Sequence, residues 1–330
     1  MKFGIEFVPH EPVEKVVESA RSAEEAGFEY CWITDHYNNR NVYSFLTAVA
    51  QTTKKMMIGP GVTNPYLIHP AVTASAIASI DEISNGRAIL GISAGDRTIL
   101  SSLGVELQRP LDTMSESIQL IRKLLAGGRM DFDGKIFKLK GVKLNFKPKH
   151  EIPIYLGAQG PEMLRLAGRI SNGVLINASH PLDVSYAVQQ IRKGSDETGR
   201  DFSEIDVAAY TSFSVASSDE EAKKAARPVV VFIVSSTPPP VLERHGISID
   251  DASKVREALK SGNFGMAMTS ITDKMFDSFC IHGTPSDCIR RIEEISKSGV
   301  TQLVVGSPVG PVPLNSIGII RNEIMPNFNI

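Results

Sequence analysis

The chain is poor in cysteine. Its 330 residues hold three, Cys31, Cys280 and Cys288, widely spaced and outside any Cys-x-x-Cys pattern. An odd number so arranged argues against a disulfide framework and reads as reduced thiols of a cytoplasmic protein. Cys31 lies in an apolar run and is expected to be buried. A surplus of one charge is missing too: 35 basic residues face 37 acidic ones, a formal net charge of −2, with no basic run. That balance leaves no electrostatic footprint for nucleic acid or an anionic membrane. No stretch approaches the roughly 18 apolar residues of a membrane span. The opening MKFGIEFVPHEP lacks the sustained apolar segment of a signal peptide. The seven histidines show neither HExxH nor His-x-x-x-His spacing, so no metal site is expected. No Gly-x-Gly-x-x-Gly follows the first apolar run, which disfavours a doubly wound dinucleotide-binding sheet.

What is present is a rhythm. Short β-rich runs alternate with longer amphipathic stretches, the pattern of βα units around a parallel sheet. The runs Lys2–Val8, Tyr30–Thr34, Met56–Val62, Arg87–Ser93, Ile152–Gly157, Val174–Asn177, Val207–Val215 and Gln302–Val305 read as strands. Helices are expected over Pro12–Gly27, Tyr43–Thr53, Pro70–Ser84, Pro161–Ile170, Asp183–Gly199, Pro285–Lys297 and Leu314–Met325. Another is expected to start on Asp112 as its cap and run to Leu125. A helix over Asp219–Arg227 precedes the apolar run Val229–Val234. Two segments break the beat: alternation around glycines at about 131–148 suggests an inserted hairpin, and about 237–272 a mostly helical insertion. The fold expected is α/β, a single (β/α)8 TIM barrel domain over residues 1–330 with these insertions.

Active sites of such barrels lie at the C-terminal ends of the strands. Those ends supply Glu6, then Asp35 and His36, Thr63 and Asn64, Gly95 and Asp96, Gly157, Ala158 and Gln159, and Asn177, Ala178 and Ser179. Glu6 sits inside an apolar strand. Burial would disfavour its ionised form and suit it to general-acid work, while an outward face would pair it with a helix lysine. Alternation puts Gly4, Glu6 and Val8 on one face and leaves open which face is the interior. A loop aspartate such as Asp35 or Asp96 serves more often as a helix cap than as a catalyst. The turn from Gly157 to Gly160 offers backbone amides to a phosphate, though glycine before proline is also ordinary turn chemistry.

Five motifs together carry a resemblance: FGIEFVP, WITDHYNNRNVY, IGPGVTNPYLIHP, LGISAGD and IYLGAQGPEMLRLAG. On them, and over nearly its whole length, the chain resembles the bacterial luciferase-like barrels, and among these the F420-dependent methylenetetrahydromethanopterin reductases. The resemblance implies an oxidoreductase using coenzyme F420, an 8-hydroxy-5-deazaflavin. Its substrate would be methylenetetrahydromethanopterin or the tetrahydrosarcinapterin form, in a step of methanogenesis from CO2. It implies a bulge with a non-prolyl cis peptide near Gly61, Val62 and Thr63, backing the deazaflavin ring, with Asn64 beside it. Asp35, His36 and Gly95 would also border the ring; Gly157, Ala158, Gln159 and Gly160, with Ala178 and Ser179, would hold the phosphate and tail. Glu6 would be the general acid that protonates a pterin ring nitrogen, and Asp96 a second carboxylate bonded to the pterin. A homodimer or homotetramer is implied as well. Two other readings stand beside this one. The chain could be another oxidoreductase of the superfamily, an F420-dependent alcohol or sugar-phosphate dehydrogenase or a flavin monooxygenase. It could also be a flavin-binding barrel without chemistry, which would have no use for Glu6 and Asp96.

Overall fold

A computed structural model describes residues 1–328. The strands are β1 (Lys2–Phe7), β2 (Tyr30–Ile33), β3 (Met57–Pro60), β4 (Leu90–Ile92), β5 (Met130–Asp133), β6 (Lys138–Val142), β7 (Ile154–Ala158), β8 (Gly173–Asn177), β9 (Asp206–Val215), β10 (Ile281–Gly283) and β11 (Gln302–Val309). The sheet order is β3-β2-β1-β11-β9-β8-β7-β4, with β10 added beside β9. β3 and β4, at the two ends of that order, are themselves joined by the parallel bridges Ile58↔Ala88 and Thr63↔Ile92. Helices separate consecutive strands of that sheet, with the hairpin β5–β6 inserted before β7, so the arrangement is that of a (β/α)8 barrel.

The chain divides into two compact units, Gly4–Leu175 with Gln189–Val207, and Met1–Phe3 with Ile176–Val188 and everything from Ala208 on. In the first unit, Glu6 and Phe7 of β1 lie opposite Trp32 and Ile33 of β2, and Ile33 lies opposite Pro60 of β3. Helix Val13–Ala26 ends on Gly27, whose left-handed φ of 99° closes the turn. The hairpin β5–β6 is antiparallel. Its tip is held by Glu116, whose carboxylate accepts the backbone N–H groups of Lys135, Ile136 and Phe137 at 2.7, 3.0 and 3.0 Å. The helix expected to begin on Asp112 starts at Pro110 instead, with Arg109 in the left-handed region before it. Asp112 stands in the first turn and binds Arg109 at 2.9 Å and Lys135 at 3.4 Å, so its charge is spent on neighbours rather than on the cap. A short helix Arg97–Ser102 had no periodic signal to betray it.

In the second unit, the apolar run Val229–Val234 is no separate piece. It is the second half of one helix, Asp219–Ser236, capped by Ser218 and containing Pro228. Ala222, Ala226, Val230 and Val234 recur every four residues and are buried, so packing overrides the β-branched composition. Ala226, Val230 and Val234 pack with Leu242, Val255, Ala267, Met275 and Phe276 of the following helices. That helical insertion runs on to Phe279, and β10 follows it as a strand that the sequence did not announce. Asp183, in the first turn of helix Pro181–Asp196, ties the insertion down: Arg244 binds one oxygen at 2.5 Å and His245 lies 2.6 Å from the other. Among the described residues no helix is long and apolar enough to cross a membrane. No cluster of three or more potential metal ligands occurs among them either.

Candidate active site

In the first unit, β1, β2, β3, β4 and β7 and their following loops carry the expected residues. After β2, the Thr34 N–H donates to the Phe7 carbonyl at 3.1 Å, which carries the pairing past Glu6 to the mouth of the strands. Asp35 and His36 come next. After β3 the chain bulges: the Gly61–Val62 peptide is cis, within the segment where the motifs placed one. Gly61 donates to Ile33 at 2.8 Å, and Thr63 bonds across to β4, donating to Gly91 at 3.0 Å and accepting from Ser93 at 2.9 Å.

Small residues let this bulge seat. A methyl on Gly91 would stand 2.3 Å from the Pro60 carbonyl oxygen and 3.1 Å from Val62. One on Gly157, at the end of β7, would meet Ser93 at 3.0 Å and Val62 at 3.4 Å. Gly95, with φ of 80°, lies against Asn64. Val62, Asn64, Gly95 and Gly157 therefore share one neighbourhood.

The titratable groups there lean toward neutrality. Burial raises the Asp35 carboxyl, against the opposing pull of the Thr63 hydroxyl and of His36. Burial also lowers the His36 imidazole, against the opposing charges of Asp35 and Asp96. A neutral imidazole can both donate and accept, and a neutral carboxyl can donate. Glu6 is buried, 8% exposed, one residue from the end of β1.

Some expected residues carry structural duties. Asp96 is exposed and caps the helix Arg97–Ser102, one oxygen accepting from Thr98 at 2.7 Å and Ile99 at 3.0 Å. Asn64 turns its side-chain oxygen onto the N–H groups of Tyr66 and Leu67. Gln159 and Gly160 are exposed, and Gly160 precedes helix Pro161–Ile170 without any side-chain cap, so the first-turn amides have no side-chain acceptor. Ala158 is buried at the end of β7. In the second unit, Ala178 and Ser179 are buried, and the Ser179 hydroxyl accepts from Ser212 N–H at 3.0 Å. Its hydroxyl is engaged by the backbone.

Sequence reasoning missed Thr34, Tyr43 and Thr73. The hydroxyls of Thr34, Tyr43 and Thr63 are sealed from solvent and complete no hydrogen bond with another described residue.

The family model of the luciferase-like monooxygenases matches residues 1–302. The chain is 52% identical to a 5,10-methylenetetrahydromethanopterin reductase of Archaeoglobus fulgidus, covering 99% of this chain and 100% of that one. It superposes on a coenzyme F420 dependent tetrahydromethanopterin reductase from Methanopyrus kandleri with a TM-score of 0.94, 41% identity and 99% of both chains covered. An F420-dependent secondary alcohol dehydrogenase shares the fold, with a TM-score of 0.84 at 22% identity over 100% of this chain and 99% of that one.

Proposed function

Because the chain belongs to the luciferase-like monooxygenase family, and within it to the 5,10-methylenetetrahydromethanopterin reductases, we infer that it reduces 5,10-methylenetetrahydromethanopterin with coenzyme F420. The observation that carries this is the 52% identity over 99% of the chain to a protein of that name. The product is the 5-methyl pterin, and the step belongs to methanogenesis from CO2.

The residues present suit such a cofactor. A flat ring with polar edges needs a shallow wall and polar partners; the Val62 bulge seated on Gly91 and Gly157 suits the first, and Asp35 and His36 suit the second. A phosphate-bearing tail suits the uncapped amides after Gly160. Gly61, Val62, Thr63, Asn64, Gly95, Asp35 and His36 are assigned to the ring, and Gly157, Ala158, Gln159 and Gly160 to the phosphate. Ala178 and Ser179 are assigned to the tail by resemblance. Coenzyme F420, an obligate two-electron carrier, supplies the hydride.

Glu6 is assigned as the general acid that supplies the proton. Delivered to a ring nitrogen of the pterin imidazolidine, it breaks that carbon–nitrogen bond and leaves an iminium carbon able to take hydride. Asp96 has one oxygen committed to its helix and offers the other to the pterin. His36, kept neutral by burial, can bond a polar edge as donor or acceptor. We place the enzyme in the cytoplasm as a homodimer or homotetramer, a state that sedimentation will read.

The test is an anaerobic assay with reduced F420 and the methylene pterin, following deazaflavin reoxidation by absorbance. Reoxidation that requires the pterin is the expected result. Its absence with both the methanopterin and sarcinapterin forms overturns the assignment.

A further inference from the structure

Within the motif segment NPYLIHP, only Asn64 has a role in the proposed reaction. The segment runs from the bulge after β3 to helix Pro70–Ser84, so it lies at the rim of the strands, and Leu67 near its middle is 37% exposed. Surface loops of this kind are ordinarily mobile. This one is tied at three points. At its start Asn64 is buried, and its side-chain oxygen accepts the N–H groups of Tyr66 at 3.2 Å and Leu67 at 3.0 Å. In its middle the Tyr66 hydroxyl donates to the Gln108 carbonyl at 2.7 Å, an oxygen that also accepts from Thr113 on helix Pro110–Ala126. At its end His69 caps the next helix, its ring nitrogen accepting from the Ala71 N–H at 3.1 Å.

That last tie is propped from outside the loop. The exposed His69 ring meets the half-buried Phe137 ring edge to face, with centroids 5.4 Å apart and planes at 82°. Aromatic pairs favour this geometry. Phe137 stands at the tip of the hairpin β5–β6, and its N–H is one of the three that the Glu116 carboxylate accepts. Thr113 and Glu116 lie one turn apart on the same helix. That helix therefore braces the loop by two routes, through Gln108 and through the hairpin.

We propose that Phe137 is a positioning residue, and that the inserted hairpin is a buttress holding residues 64–69 ready at the rim for the pterin. The pterin as beneficiary rests on the function inferred above; the brace itself stands on contacts within this chain. The Val62 bulge assigned to the deazaflavin is seated on Gly91 and Gly157, which belong to neither hairpin nor loop. A loop fixed before its ligand arrives costs nothing to order on binding. Freeing it weakens ground state and transition state alike, and the signature is a raised KM at unchanged kcat.

Two measurements test this in wild type, Phe137→Ala, Phe137→Tyr and Glu116→Ala. The first is amide exchange of the protein without ligands at neutral pH. Protection of Tyr66, Leu67, Ile68 and Ala71, whose N–H groups make the bonds of the loop, should fall in Phe137→Ala and in Glu116→Ala. Phe137→Tyr, which keeps the ring, should hold it at the wild-type level. The second is steady-state kinetics. The KM for the methylene pterin should rise about three- to tenfold in Phe137→Ala, the size of one lost edge-to-face contact, with kcat and F420 affinity within about twofold of wild type. Phe137→Tyr should keep the wild-type KM. Amide protection equal to wild type in Phe137→Ala overturns the buttress. An unchanged KM, or an F420 affinity that falls as far as the KM rises, overturns its service to the pterin. If wild type does not turn the pterin over, the functional reading falls while the exchange series still decides the buttress.

Discussion

Gly91 lies with its Cα pressed toward the chain on either side, and a side chain there has nowhere to go. The obstacle is the carbonyl oxygen of Pro60, 2.3 Å from where a methyl would stand, and a backbone oxygen cannot swing aside. Gly91→Ala should therefore lower stability by about 2 kcal/mol, as overpacked cores do, and loosen the Val62 bulge that leans on the same spot. A urea midpoint equal to wild type would contradict this. Glu6→Gln keeps size and hydrogen-bonding shape but cannot release a proton at neutral pH. It should cut turnover of the methylene pterin by roughly 100-fold or more, the range of general acid catalysis, while F420 binding stays at its wild-type constant. An unchanged rate would remove Glu6 from the mechanism. Glu6 was visible in the sequence because an acid interrupts an apolar strand. The buried hydroxyls of Thr34, Tyr43, Thr63 and Thr73, on two loops and two helices, were not, because no local pattern marks a hydroxyl that the fold will bury.

Among elements, the hairpin β5–β6 hangs on one side chain. Burial pushes the Glu116 carboxyl up, but the N–H groups of Phe137, Ile136 and Lys135 outweigh it and hold the group below the usual glutamate range. The clamp is then fully formed above that range and is lost as pH falls through the lowered value. Glu116→Ala should lower amide protection across residues 130–142 at neutral pH, and wild type should lose the same protection only in acid, below the usual glutamate range. Exchange rates alike in both proteins at neutral pH would show that the hairpin holds itself. The strands and most helices were legible from period alone, since Ile33, Ile58 and Leu90 repeat one theme of apolar runs stopping at polar ends. Three features were not. Helix Asp219–Ser236 hides its second half behind valines, Asp112 mimics a cap that Arg109 occupies, and β10 is three residues long. In each case tertiary packing outweighed local preference, which a window of sequence cannot register.

For the whole molecule, the path of the chain matters more than any contact. β8 begins in the first unit and ends in the second, and β9 does the same, so neither unit is a continuous stretch that a single cut could release. A chain woven this way should open as one. The three free cysteines make that measurable. Cys31 sits in the first unit and Cys288 in the second, both 0% exposed. Each is a silent clock, reacting with a thiol reagent only when its own surroundings come apart. Labelled under native conditions, the two should tick at the same rate to within about fivefold, a difference of roughly 1 kcal/mol in opening free energy. A much faster Cys288 would mean that the second unit breathes alone. The scarcity of cysteine thus leaves this chain with one buried timer in the first unit and two, Cys280 and Cys288, in the second.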